Sequence, residues 1–152
     1  MSAELTIVVG LPGSGKTHRM RSIKRRTTGL CVDDYMMEAH DPWEIGRSYH
    51  FNDSCHYKKL VSDLRRGLRC AISDIIFCDT MVRLETAAIL NADVPKIQIS
   101  WEFFANTQRK CLANARRRRR DTLSREEQLI KLLAAKYIIP KGYKPHKVWS
   151  PQ

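Results

Sequence analysis

The chain has 152 residues, 43% hydrophobic and 28% charged, enough for one globular domain with a real core and wrong for a disordered or fibrous protein. Lys and Arg outnumber Asp and Glu by 27 to 16, and the resulting net charge of +11 predicts attraction to polyanions. No apolar run approaches the ~20 residues that span a bilayer, and no basic-then-apolar signal pattern opens the chain, so a cytoplasmic protein is expected.

Leu5-Thr6-Ile7-Val8-Val9 is a compact apolar run, and a first strand is predicted over about Glu4–Val9. The next stretch, Gly10-Leu11-Pro12-Gly13-Ser14-Gly15-Lys16-Thr17, fits G-x-x-x-x-G-K-[ST] at every fixed position. A helix-compatible segment, Lys16 to Arg26, follows. Strand, glycine turn and helix are the context in which this motif binds phosphate. Glycines let the backbone curl so that successive N–H groups point inward as a nest. The helix N-terminus adds partial positive charge. Gly10, Pro12, Gly13, Ser14 and Gly15 would form the cradle of a nucleoside triphosphate, ATP. Lys16 would reach its outer phosphates, and the Thr17 hydroxyl would ligate Mg²⁺.

Gly29 to Val32 reads as a short second strand ending at Asp33-Asp34. Residues Tyr35 to Tyr49 read as loop with one short helix. From Asn52 to Arg66, Tyr57, Leu60, Val61 and Leu64 repeat at helical spacing with basic residues off the stripe, and Gly67 stands where a helix-ending glycine belongs. Arg69 to Ser73 is the third predicted strand, with Asp74 at its tip. A helix from about Asp79, its N-cap, to Leu90 follows, with Asn91 as terminator. Lys96 to about Phe103 alternates and predicts a fourth strand. Asn106 to Arg120 is periodic through Cys111, Leu112 and Ala115. Ser124-x-x-Glu127 has the form of a capping box, opening a helix with Leu129, Leu132, Leu133 and Tyr137 on one face. Pro140 would end it, and Lys147-Val148-Trp149 could form a fifth, edge strand.

Alternation of strands and helices predicts an α/β domain built on a parallel sheet of about five strands. Ligands in such sheets sit at the strand carboxyl ends, where the glycine motif, Asp33-Asp34 and Asp74 are all expected. Phosphoryl transfer needs a phosphate cradle, Mg²⁺, a carboxylate to accept the acceptor's proton, and mobile arginines over the transferring group. One of Asp33 and Asp34 could be that base, while Asp74 could hold Mg²⁺ through a water or orient the acceptor. Arg109, Lys110 and Arg116 to Arg120 place seven cations in twelve residues. Arg116 and Arg120 share a helix face at i, i+4 and are the expected ATP contacts, with the others left for solvent or nucleic-acid phosphate. The five cysteines include no C-x-x-C. Cys31, Cys70 and Cys111 fall in apolar patterns and read as small buried hydrophobes. Cys55-His56 has no second pair at zinc spacing.

With these residues in view, the chain resembles the small P-loop kinases over roughly residues 4 to 139. It resembles especially the kinase domain of phage-type polynucleotide 5′-hydroxyl kinases and their zeta-toxin-like relatives. The glycine motif is similar to theirs, as is Val32-Asp33-Asp34-Tyr35, whose first aspartate is the general base in that kinase. Ile72-Ser73-Asp74 resembles the strand end bearing their second active-site aspartate. Cys111 to Arg117 is similar to the segment in which an Asn precedes lid arginines. Asp74 to Cys78 and Trp101 to Asn106 also resemble a group of short P-loop ATPase-like proteins of unassigned function. One departure is Met36-Met37, where the kinase pattern has a basic residue for the acceptor phosphate. The resemblance implies a single P-loop kinase domain with an arginine-rich lid over about 105–124. Its activity would be ATP- and Mg²⁺-dependent phosphorylation of a polynucleotide 5′-hydroxyl. Asp33 would be its base, and Lys16, Asp74 and Arg116 would be its further catalytic residues. A kinase for a small metabolite or nucleotide is the alternative, to be told apart by a closed acceptor pocket rather than a basic groove. A nucleic-acid-binding module switched by ATP is the other, and there Asp33→Asn would leave function intact.

Overall fold

The computed structural model describes residues 3–26, 30–32, 55–118 and 123–149. The elements run β1 (Glu4–Val9), α1 (Lys16–Arg26), β2 (Leu30–Val32), α2 (Cys55–Arg65), β3 (Arg69–Ser73), a 3-10 turn (Ile75–Cys78), α3 (Thr80–Asp93), β4 (Gln98–Phe103), α4 (Gln108–Arg118) and α5 (Leu123–Lys136). The four strands form one sheet in the order β2-β3-β1-β4, and every pairing is parallel. The protein is therefore an α/β domain on a parallel sheet.

The sheet faces divide as period-2 burial requires. Leu5, Ile7 and Val9 of β1, with Cys70 and Ile72 of β3, join the large core with α2, α3, α4 and α5. Val8 and Ala71 point the other way, onto Met20 and Ile23 of α1 and onto Phe104. With both faces covered, the central strand reads as the continuous apolar run Ile7-Val8-Val9.

Local signals set most boundaries. Asp79 caps α3 by accepting from the Met81 N–H at 2.9 Å. α2 ends as expected at Gly67, which takes φ 82°, with Gly67 N donating to Leu64 O and Leu68 N to Asp63 O. This pair of bonds closes a helix end around a left-handed glycine. Tyr57, Leu60, Val61 and Leu64 are buried as their spacing predicts.

Four expectations need correction. The predicted fifth strand is only a parallel bridge between Phe104 and His146, because the returning chain pairs with the end of β4 for one residue and then turns to the glycine loop. α3 runs on through Asn91 to Asp93, since the Asn91 side chain donates to Ala87 O within the helix. On α5 the buried face is Leu129, Ile130, Leu133 and Tyr137, while Leu132 is exposed. Ser124 falls inside α5, which begins at Leu123, and Glu127 is engaged by Arg116.

Candidate functional site

The glycine loop connects β1 to α1. β1 lies between β3 and β4. Its own onward helix, α1, packs on one face of the sheet, while α3, which leads out of β3, packs on the other. Neighbouring strands whose connections leave on opposite faces open a crevice at their carboxyl ends. β1 is in register with β3 up to Val8 opposite Ser73, so the loop and Asp74 emerge side by side.

The loop curls as its glycines permit. Gly13 and Gly15 adopt φ 83° and 109°. A Cβ on Gly13 would stand 2.8 Å from the Cys111 backbone oxygen, which closes that position, and one on Gly10 would stand 2.5 Å from Ser14 Oγ, which would have to turn away. Ser14 N donates to Leu11 O at 3.1 Å. The Lys16 ammonium folds back into the loop and donates to the same carbonyl at 2.9 Å. Desolvation lowers its pKa below the ordinary lysine value, and the Asp74 carboxylate works against that shift. The Ser14 side chain is fully buried, and its Oγ has no hydrogen-bond partner among the described residues. A buried hydroxyl without a partner is costly and points to an occupant that would supply one.

Around this hollow stand three other segments. Asp74 is buried and caps the 3-10 turn by accepting from the Ile76 N–H at 3.0 Å. At the end of that turn, the Cys78 thiol donates to Gly10 O at 3.3 Å. Burial pushes the Cys78 thiol up to about 12 and the Cys111 thiol up to about 11, so both are neutral packing groups and not nucleophiles. From α4, the buried Asn114 amide donates to Gly13 O at 2.9 Å and to Trp149 O at 2.6 Å. Trp149 N donates to Ser14 O at 3.2 Å. α4 and the C-terminal segment are thus tied to the loop, and to each other, through one amide.

The sequence-derived residues divide into those the structure gathers and those it does not. Gly10, Gly13, Ser14, Gly15, Lys16 and Asp74 converge at one strand-end crevice. Pro12 is half-buried in the loop, and Thr17 is exposed in the first turn of α1. Asp33, Asp34 and Arg120 lie outside the described residues. Arg116 is directed to α5, where its Nε donates to Glu127 Oε1 at 2.9 Å. The arginine at the loop is Arg118, whose guanidinium is 3.5 Å from the place a Gly13 Cβ would occupy. It also pairs with Glu126 at 3.2 Å. Helix phase explains the difference: Arg118 is one turn beyond Asn114 and seven residues beyond Cys111, on the stripe that faces the loop.

The resemblance marks Asn114 as the residue before the lid arginines, while two other participants lay beyond sequence reading. Asn114 shares α4's buried face with Cys111 and Ala115, which turns its amide to the loop. Glu102 of β4 accepts from Arg19 of α1 at 2.7 and 3.2 Å and is 2.8 Å from His146 Nε2. Trp149 reaches the loop only through the chain's return. Neither of these last two leaves a local signature.

Mg²⁺ usually takes one or two protein oxygens and completes its shell with phosphate and water. The Thr17 hydroxyl and the Asp74 carboxylate match that sparse donor set. No cluster of three or more His, Cys, Asp or Glu side chains able to hold a metal occurs among the described residues. An open groove of about 520 Å³ runs along α2, past Tyr57, Val61 and Arg65 to Asp93. It lies away from the loop and is separate from this site. No protein-family model matches the chain, and no curated protein matches it.

Proposed function

We propose that this protein is an ATP- and Mg²⁺-dependent kinase of the P-loop class, transferring the terminal phosphoryl group to a hydroxyl, with a polynucleotide 5′-hydroxyl as acceptor. One observation carries the reading: a glycine loop at a parallel-sheet switch point, holding a desolvated lysine ammonium and a buried hydroxyl with no partner among the described residues. The motif's chemistry and the loop's curl agree.

The roles follow from charge and reach. Backbone N–H groups of the loop and the start of α1 receive the phosphates. Lys16 exchanges its bond to Leu11 O for phosphate oxygen, which suits a partly desolvated ammonium. Thr17, and Asp74 through a water, would hold Mg²⁺, which would neutralise phosphate charge when bound. Arg118, beside Gly13, takes the part that the sequence reading gave to Arg116 and Arg120, and compensates charge spreading over the transferring group. Asp33, by its resemblance to the base of polynucleotide kinases, accepts the proton of the attacking hydroxyl. The acceptor class rests on that resemblance and on the charge of +11.

The test is to incubate the protein with γ-labelled ATP, Mg²⁺ and a panel of 5′-hydroxyl oligonucleotides, nucleosides and sugars. Label on the oligonucleotides, abolished by Lys16→Ala and by Asp33→Asn in folded variants, is the expected result. Label on nucleosides or sugars alone would move the protein to the metabolite kinases. ATP binding without transfer to any acceptor would leave a switch module.

A further inference from the structure

Trp149 is 52% exposed although its backbone is fixed on both sides. Its N–H donates to Ser14 O and its carbonyl accepts from the Asn114 amide. Its Cβ sits 3.3 Å from where a Gly15 Cβ would stand. The side chain is thus rooted on the outer wall of the glycine loop with its ring left open to solvent. Exposure of one aromatic is ordinary by itself, but this ring is anchored beside the glycine loop and has an arginine over its face. The facing group is the Arg117 guanidinium of α4, whose central carbon lies over the ring at 6.0 Å from its centroid.

That spacing is informative. A flat ring inserted between two planar groups needs two van der Waals layers, about 7 Å in all. Arg117 Cζ lies 6.0 Å from the ring centroid, a cation–π contact, so a base enters only as Arg117 moves outward. Arg117 is exposed and can make that move. With Arg117 displaced, an indole face below and a guanidinium above suit a nucleobase.

We infer that Trp149 and Arg117 form the slot for the base of the nucleotide whose phosphates lie in the glycine loop. The inference rests on the phosphate-site reading and extends it to the other end of the donor. A stack reads area and not hydrogen-bonding edges, so the slot should favour purines over pyrimidines and discriminate little between adenine and guanine.

The experiment compares the wild type with Trp149→Ala, Trp149→Phe and Arg117→Ala. Dissociation constants are measured for Mg-ATP, Mg-GTP, Mg-CTP and Mg-tripolyphosphate, the last having the phosphates and no base. Trp149→Ala should weaken ATP and GTP about 5- to 150-fold and leave tripolyphosphate unchanged. Trp149→Phe should recover most of the loss. ATP should also quench a component of the indole emission that Trp149→Phe lacks. If Trp149→Ala binds ATP as the wild type does, while tripolyphosphate still binds, the slot is wrong and the phosphate site stands. An equal loss of ATP and tripolyphosphate in Trp149→Ala would make Trp149 a brace for the loop and would also overturn the slot. If the wild type binds neither ATP nor tripolyphosphate, the phosphate-site reading fails first and the slot with it.

Discussion

Ser14 and Arg83 are both buried and polar, yet they serve opposite ends. The Arg83 guanidinium donates to Phe77 O at 2.6 Å, to Thr80 Oγ1 at 3.0 Å and to Ile138 O at 2.7 Å. It also lies over the Phe103 ring. Every acceptor there belongs to a structural segment, so Arg83 joins the 3-10 turn, α3 and the chain after α5. Arg83→Ala would leave two carbonyls without this donor and should cost about 3 kcal/mol of unfolding free energy, read from urea midpoints. Ser14 is the converse case. Its hydroxyl finds no partner among the described residues, so Ser14→Ala removes a desolvated group that contributes nothing to the fold. Stability should stay level or rise by up to about 1 kcal/mol. ATP affinity should fall about tenfold, the worth of one bond to a charged phosphate. A destabilised Ser14→Ala with normal ATP affinity would show that the hydroxyl belongs to the fold and not to a ligand.

Among the elements, Glu102 has the most consequence per residue, because it binds three of them together. From β4 it holds Arg19 of α1 and His146 of the returning chain. Burial alone would raise its pKa, but the bonds from Arg19 and then from His146 outweigh burial and bring it below the ordinary glutamate value. A carboxylate whose folded pKa is depressed contributes stability that is fully present above its unfolded pKa. That contribution is lost as pH falls through the lower folded value. The relevant window lies below about pH 4.3, the ordinary glutamate value. Wild type should exceed Glu102→Gln by about 1 kcal/mol near pH 7, a figure reduced for the partial exposure of the group. The difference should shrink as pH is lowered through that window. Urea midpoints of both proteins from pH 7 to pH 3 measure this, and a gap that widens with acid would contradict it. The helix pair α4–α5 works similarly: Arg116 and Arg118 are held by Glu127 and Glu126, so part of the arginine run is already neutralised by its own chain.

For the whole molecule, the charge of +11 matters through its distribution. Arg109 and Lys110 are exposed at the start of α4, whereas Arg116 is paired with Glu127. A cation already matched by a carboxylate displaces fewer counterions from nucleic acid than an unmatched one. Arg109→Ala should therefore reduce the slope of log K against log salt by about 0.7–0.9 for a single-stranded or duplex oligonucleotide. Arg116→Ala should reduce it by less. Binding isotherms across a salt series check this. Equal slopes in all three proteins would make the run a solvated helix end and remove the main physical support for a polynucleotide acceptor.

The glycine motif determined its own conformation. Only glycine accepts φ 83° at position 13 and φ 109° at position 15 without strain, and the flanking strand and helix are encoded by local apolar spacing. β1, α1 and β3 were legible to the residue for that reason, as were the Asp79 cap and the Gly67 terminus. The paired arginines, the Glu102 junction and the placement of Trp149 were not legible, because each joins residues far apart in the chain. Arg116 and Arg120 share a face by helix geometry, but which α4 face meets the loop was fixed by packing Cys111, Asn114 and Ala115 inward. The C-terminal stretch carries a strand-like pattern, yet its backbone bonds go to Phe103, Ala105 and Ser14 in succession, so it crosses from the sheet edge to the loop. Local sequence set the elements and the curl of the glycine loop. Tertiary packing decided which distant side chains surround them, since those contacts depend on helix phase and chain return, quantities that no short stretch of residues contains.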